Sequence, residues 1–207
     1  ETHHKICCGS LLSSGVSTTW HLVMTAVTPE LLSRFDIPGP RYTSFPTADR
    51  FVEAFGADDY ILALKQRKTH SGTRALPLSV YVHVPFCESL CYYCACNKIV
   101  TKHHEKAGEY LSYLERELAM HTAHCGKGQL VSQVHLGGGT PTFFSDAQLK
   151  QLMGLMQEHF KLDPAGEYSI EVDPRTVSNE RLKALRDMGF NRLSFGVQDF
   201  DPSVQKA

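Results

Sequence analysis

Four β-branched runs punctuate the chain from Leu78 onward: LSVYVHV, VSQVHL ahead of Gly137, Tyr168 to Val172, and NRLSFGV from Asn191. Between them, apolar residues recur at helical spacing. Tyr110, Leu111, Leu114 and Leu118 predict a helix over roughly Lys106 to Ala123. Ser145 and Gln148 form a capping box ahead of Leu149, Leu152, Met153, Met156 and Phe160. Ser178 caps a third helix carrying Leu182, Leu185 and Met188, and Gly189 stops it. The resulting β-α-β-α-β-α-β order demands right-handed crossovers and a parallel sheet, hence an α/β fold. An open doubly wound sheet and part of a barrel both satisfy it, and periodicity does not choose between them. In either, chemistry gathers at the carboxyl ends of the strands. Cysteines follow the first strand, glycines the second, Glu171 and Asp173 close the third, and Gln198 closes the fourth.

Upstream, Thr28 to Phe35 and about Asp58 to Arg67 predict short helices, separated by a Pro-rich arm, IPGPRYTSFPTADRF. The chain begins at Glu1 and its first Met is Met24. Residues 1–23 are therefore expected to be a non-native or disordered extension, 24–77 an N-terminal arm with short helices, and 78–207 the main α/β domain. No Asp, Glu, Lys or Arg occurs between Lys5 and Glu30, but Ser, Thr, Gly and His interrupt that stretch, so no membrane span is expected. With 42% hydrophobic and 21% charged residues in 207, the chain can bury a core without disulfide staples, which excludes collagenous, mucin-like and disordered classes. A net charge of −1 leaves no global basic field for nucleic acid or an anionic membrane.

Four of the seven cysteines are packed into CESLCYYCAC: Cys87, Cys91, Cys94 and Cys96. Four thiols within ten residues close a zinc tetrahedron awkwardly, because zinc sites usually draw on two separated pairs. A cuboidal iron–sulfur cluster suits the spacing better, and three ligands from one loop leave one iron open to a non-protein ligand. The competing readings are buried hydrophobic cysteines or a structural zinc knuckle.

Cys-x3-Cys-x2-Cys after the first strand of a β/α chain resembles the signature of the radical S-adenosylmethionine (SAM) enzymes. YVHVPFC, the fourth cysteine in CAC, NKIVT, HLGGGTPT, IEVDPR, NRLSFGVQDF and the upstream GPRYTSFPT further resemble the oxygen-independent coproporphyrinogen III oxidase (dehydrogenase) family of haem synthesis, over about Asp36 to Gln205. The resemblance implies a partial (β/α) barrel of the radical SAM type with an N-terminal arm, truncated here after about four parallel strands. It implies that Cys87, Cys91 and Cys94 bind a [4Fe-4S] cluster whose open iron is chelated by S-adenosyl-L-methionine, with Cys96 outside the ligand set. One electron from the cluster then cleaves SAM to methionine and a hydrogen-abstracting 5′-deoxyadenosyl radical. Two SAM molecules per active site would convert two propionates of coproporphyrinogen III to vinyl groups, giving protoporphyrinogen IX and carbon dioxide without oxygen.

By the same resemblance Gly138, Gly139 and Thr140, Glu171, Gln198, Tyr81 and Tyr93 contact SAM. On the residues alone, the glycines read equally as a tight strand-to-helix turn, the tyrosines as core, and Glu171 as a solvated acid. Tyr93 stands where the family often has Phe, and Ala95 where it often has Gly. His83, on the same strand face as Tyr81, is the catalytic candidate, as proton donor or hydrogen-bond partner, with a structural histidine as the alternative. Arg41, Arg175 and Arg192 are candidate anchors for substrate carboxylates. The family reading further implies a cytoplasmic monomer with an electron donor to the cluster and an unknown terminal electron acceptor. The rival is the related haem chaperone without oxidase activity, whose members usually lack a counterpart of Cys96 and the GPRYTS arm. With later-strand residues missing, the isolated chain is expected to be aggregation-prone and not to decarboxylate coproporphyrinogen.

Overall fold

The computed structural model describes residues 27–37, 47–67 and 76–206. The expected extension over 1–23, Arg41 and most of the Pro-rich arm lie outside them. The chain divides into two units, 1–51 and 52–207. In the first, α1 (Pro29–Phe35) starts where the Thr28 hydroxyl accepts from the Leu31 N–H at 3.2 Å. The second begins with α2 (Ala57–Gln66), whose N-terminus is tied by the Gly56 N–H donating to Asp59 at 2.9 Å.

β1 (Leu78–Val84) is followed by a short parallel pair, β2 (Phe86–Cys87) and β3 (Ile99–Val100), which brackets the cysteine loop. Then come α3 (Glu105–Cys125), β4 (Gln129–Gly138), α4 (Asp146–His159), β5 (Phe160–Glu171), α5 (Asn179–Asp187), β6 (Arg192–Ser194) and α6 (Pro202–Lys206). The main sheet runs β1-β4-β5-β6 with every pair parallel. Strand order thus follows chain order without reversal.

One sheet face is apolar and one is polar. Val82, Val84, Val134, Leu136, Tyr168 and Ile170 alternate onto the face that packs against Leu111 and Leu114 of α3, Leu149, Leu152 and Met156 of α4, and Leu185 of α5. Each fully buried Leu there contributes about 1.5–3 kcal/mol of transfer free energy. The intervening positions, Tyr81 and His83 of β1, His135 and Gly137 of β4, and Ser169 and Glu171 of β5, point the other way. Tyr81 is 57% exposed. Sequential strands with helices on one side are the winding of a (β/α) barrel segment. A doubly wound sheet would reverse direction and place helices on both faces.

Three boundaries differ from expectation. Phe160, placed on the helical face of α4, is its C-cap and the first residue of β5, and it remains buried. β5 starts eight residues before Tyr168 because residues 163–166 loop out opposite Ser132, while Leu162 and Glu167 pair with Val131 and Gln133. Pro164, with no N–H to donate, and Gly166 read as a turn in sequence. The Tyr168 hydroxyl, donating to the Asp163 carbonyl at 2.6 Å, and the Asn191 amide, donating to Gly166 O at 2.8 Å, hold the bulge inside the strand. β6 has three paired residues, so Phe195 to Gln198 leave the ladder.

Candidate functional site

Parallel register brings the polar face together. Tyr81 pairs with His135 and His135 with Ser169, while His83 pairs with Gly137. The Tyr81 and His135 rings stack at 5.7 Å with 19° between planes. His135 Nδ1 lies 2.6 Å from Ser169 Oγ and its Nε2 3.3 Å from Glu171 Oε1, and Glu171 Oε2 accepts the Gly138 N–H at 3.2 Å. His83 Nε2 is 2.8 Å from the Asn97 carbonyl, which can only accept, so Nε2 carries the proton and Nδ1 accepts from the Tyr81 hydroxyl at 3.1 Å. The Tyr110 hydroxyl donates to His83 O at 2.6 Å. Partial desolvation, with the Glu171 and Cys96 charges, pushes the Tyr81 phenol up.

Gly138 has φ +112°, and a Cβ there would stand 2.7 Å from the His83 ring. A Cβ on Gly139 would stand 2.7 Å from the carbonyl oxygens of Pro85 and Phe86. The Gly139 N–H donates to Val84 O and the Thr140 N–H to Phe86 O, both at 2.8 Å. These amides, together with that of Gly138, are engaged by the chain itself. The glycines here make the close turn that joins β4 to the loop after β1.

The cysteine loop is anchored at its ends. Ile99 N–H donates to Pro85 O at 2.7 Å and Thr101 N–H to Cys87 O at 2.9 Å. Cys87 is buried, and the Thr140 hydroxyl points to its sulfur at 3.6 Å. Cys91 and Cys94 are half-buried, Cys96 is exposed, and all four thiols are free. The Cys96 backbone N–H is the main cause that lowers the Cys94 thiol, helped by the Cys96 side chain and Lys98, while donating to Cys94 raises the Cys96 thiol. Arg175 grips Asp173 (Nε to Oδ1 3.0 Å, Nη2 to Oδ2 2.6 Å) and also touches the Cys91 sulfur. The Tyr93 phenol is raised by desolvation and then by its hydrogen bond to Cys91.

Among the described residues, no three Cys, His, Asp or Glu side chains converge where one metal ion could be held. The donor chemistry nevertheless fits an iron–sulfur cluster: three free thiols at x3 and x2 spacing, on a loop tied at both ends. Between those ties the loop exposes Leu90, Tyr92 and Tyr93.

Of the expected site residues, Tyr81, His83, Gly138 and Glu171 share one connected group, and Thr140 links it to Cys87. Gln198 lies beyond β6, exposed, at φ 68°, and makes no hydrogen bond to that group. Of the expected anchors, Arg175 is committed to Asp173, and Arg192 pairs with Glu167 at 2.7 Å. His135 and Ser169 were not singled out from sequence. The strand alternation that placed His83 beside Tyr81 also places His135 two residues before Gly137, and that signal was available.

A family model for the radical SAM superfamily matches residues 81–207. Oxygen-independent coproporphyrinogen III oxidase from Pseudomonas aeruginosa is 48% identical over 180 residues, covering 86% of this chain and 38% of that protein. The proteins of that name from Escherichia coli (48% over 176 residues; 85% and 37%) and Helicobacter pylori strain J99 (46% over 185; 89% and 40%) are similar in the same way. The solved structure of coproporphyrinogen III oxidase from Escherichia coli, described as a radical SAM enzyme, matches with a TM-score of 0.70 at 49% identity, over 80% of this chain and 36% of that one. The chain spans well under half the length of these curated relatives. With its parallel sheet, one-sided helices and Cys-x3-Cys-x2-Cys loop at the end of β1, the chain belongs to the radical SAM superfamily.

Proposed function

We propose that this chain carries the cluster loop and SAM-binding face of an oxygen-independent coproporphyrinogen III dehydrogenase, an oxidoreductase of haem biosynthesis. In this reading it acts in the cytoplasm as a monomer, with two SAM molecules, an electron donor to the cluster and a separate terminal acceptor. The observation that carries the reading is the 48% identity over 180 residues with the Pseudomonas aeruginosa protein of that name. Cys87, Cys91 and Cys94 hold the cluster, and the Thr140 hydroxyl hydrogen-bonds the Cys87 sulfur. When bound, the cluster supplies the electron that splits SAM. Glu171, fixed by Gly138 and His135, offers acceptor lone pairs to the amino or ribose groups of SAM. Tyr81 and Tyr93 contribute ring faces, Gly138 and Gly139 bring backbone close, and His83, proton-fixed by Asn97 O, receives the Tyr81 hydroxyl proton bond at the edge of the same face. Gln198 joins the SAM site if the segment after β6 turns back toward the strand ends.

The test is a chimera in which this chain replaces the matching segment of the Pseudomonas aeruginosa protein. Assayed anaerobically with SAM and a reductant, it should consume coproporphyrinogen III and release carbon dioxide. Replacing Cys87, Cys91 or Cys94 singly by Ala should remove the thiolate-to-iron absorbance and all turnover. A chimera that loads its cluster and cleaves SAM but leaves coproporphyrinogen untouched would overturn the substrate assignment. Full cluster loading in all three variants would overturn the ligand set.

A further inference from the structure

His135 lies at the centre of the polar face. Its Nε2 faces an oxygen of Glu171 at 3.3 Å, and an ionised carboxylate can only accept, so Nε2 is the protonated nitrogen. Nδ1 is then an acceptor, and Ser169, buried with its Oγ 2.6 Å away, donates to it in preference to the Val134 carbonyl, which lies 3.4 Å from the same oxygen. A second observation points to the same centre. A Cβ placed on Gly137 would stand 3.0 Å from His135 Nε2, 3.0 Å from Tyr81 Cε2 and 3.1 Å from the Glu171 carboxyl carbon. The three side chains therefore close over the one position in the row that lacks a side chain. The His135 and Glu171 side chains remain about one-third and two-fifths accessible (35% and 41%), so the carboxylate is held without being sealed from a ligand.

We propose that His135 is a positioning residue: Ser169 fixes its tautomer, its Nε2–H holds the Glu171 carboxylate against the Gly138 amide, and its ring backs the exposed Tyr81 ring. The proposal rests on the reading of this face as the SAM site. The ligand it serves is the cationic amino or ribose part of SAM, which Glu171 meets in a pre-set orientation rather than after a rotamer search. His135 itself does not touch the ligand.

The test is a cycle of variants in the anaerobic, cluster-loaded protein, read by equilibrium binding of SAM. His135→Phe keeps a ring against Tyr81 and removes both nitrogens, and it should weaken SAM binding about tenfold, the effect of losing a hydrogen bond to a charged group. His135→Gln retains an N–H donor near the Nε2 position and should recover most of that loss. Because His135 acts through Glu171, the His135→Phe/Glu171→Gln double variant should bind no more weakly than Glu171→Gln alone. A second readout needs neither cluster nor SAM. Nitrogen-15 NMR of the His135 ring should show the Nε2–H tautomer, and Glu171→Gln should weaken that preference. Iron content and the urea midpoint, recorded for each variant, separate loss of the ligand from loss of the fold. SAM binding by His135→Phe within twofold of the parent, losses that multiply in the double variant, or an Nδ1–H tautomer would each overturn the inference while leaving the SAM site standing. A fully loaded parent that binds no SAM would overturn the site reading and this inference with it.

Discussion

The Cys96 thiol hydrogen-bonds the Cys94 sulfur, and that decides how the fourth cysteine of the loop can act. The Cys96 backbone N–H and thiol both donate to the Cys94 sulfur, which lowers the Cys94 thiol and raises that of Cys96. Two adjacent sulfurs cannot both ionise cheaply, so the lowered Cys94 thiol is the better suited of the two to meet iron and the raised Cys96 thiol the better suited to donate. Lys98, whose ammonium reaches the carbonyls of Cys94 at 3.0 Å and Cys96 at 3.4 Å, adds positive charge to the same corner. Cys96→Ser keeps a donor and should keep iron per chain within about a quarter of the parent, because the charge-assisted bond survives the exchange of sulfur for oxygen. Cys91→Ser, losing a ligand sulfur, should lose most of its iron. Comparable iron loss in the two variants, measured after anaerobic reconstitution, would place Cys96 among the ligands.

At the scale of elements, two glycines separate turn from helix. Gly139, in the turn after β4, has carbonyl oxygens of Pro85 and Phe86 2.7 Å from where a Cβ would sit, and backbone cannot move aside as a side-chain tip can. Gly139→Ala should therefore cost about 1–3 kcal/mol. Gly154, inside α4, has nothing within 4 Å of the same position, and Gly154→Ala should stabilise by about 0.5–1 kcal/mol. Urea midpoints of the two variants should move in opposite directions, and a shared direction would count against the packing of the β1–β4 turn described here. These elements were largely legible in the sequence. LSVYVHV is β1 residue for residue, and the Ser145 box forms as read, with Ser145 N–H donating to Gln148 Oε1 at 2.9 Å. β5 was half-hidden because its bulge carries the Pro and Gly of an ordinary turn, and the bonds that keep it in the sheet come from Tyr168 within the strand and from Asn191, 25 residues beyond Gly166. Periodicity could not choose barrel segment over open sheet, since both share one period and differ only in the side on which successive helices lie; the family resemblance carried that choice, and the one-sided helices agree with it. At the site, the cysteine spacing marked the cluster loop and the strand end marked Glu171, to which the family resemblance added a role; alternation put His135 on the face of Gly137, and the parallel register added its neighbours Tyr81 and Ser169.

At the scale of the α/β unit, the sheet's apolar side is covered and its last strand is not. β6 pairs with β5 through Arg192, Leu193 and Ser194, and among the described residues no strand pairs with its other edge. Leu193 (39%), Phe195 (58%), Val197 (48%) and Phe200 (86%) are exposed along and just beyond it. An unpaired edge beside exposed aromatic surface is a template for association with another copy, and a net charge of −1 supplies little repulsion against it. Each phenylalanine removed from water by association contributes roughly 1.5–3 kcal/mol, enough for two together to change an association constant by more than tenfold. The chain should therefore self-associate in a concentration-dependent way by static light scattering. Phe195→Lys with Phe200→Lys, placing charge at the edge without touching the buried face, should shift the onset to at least tenfold higher concentration while leaving the urea midpoint within about 0.5 kcal/mol of the parent. If the double variant associated as readily as the parent, the open edge of β6 would not be the surface that drives association.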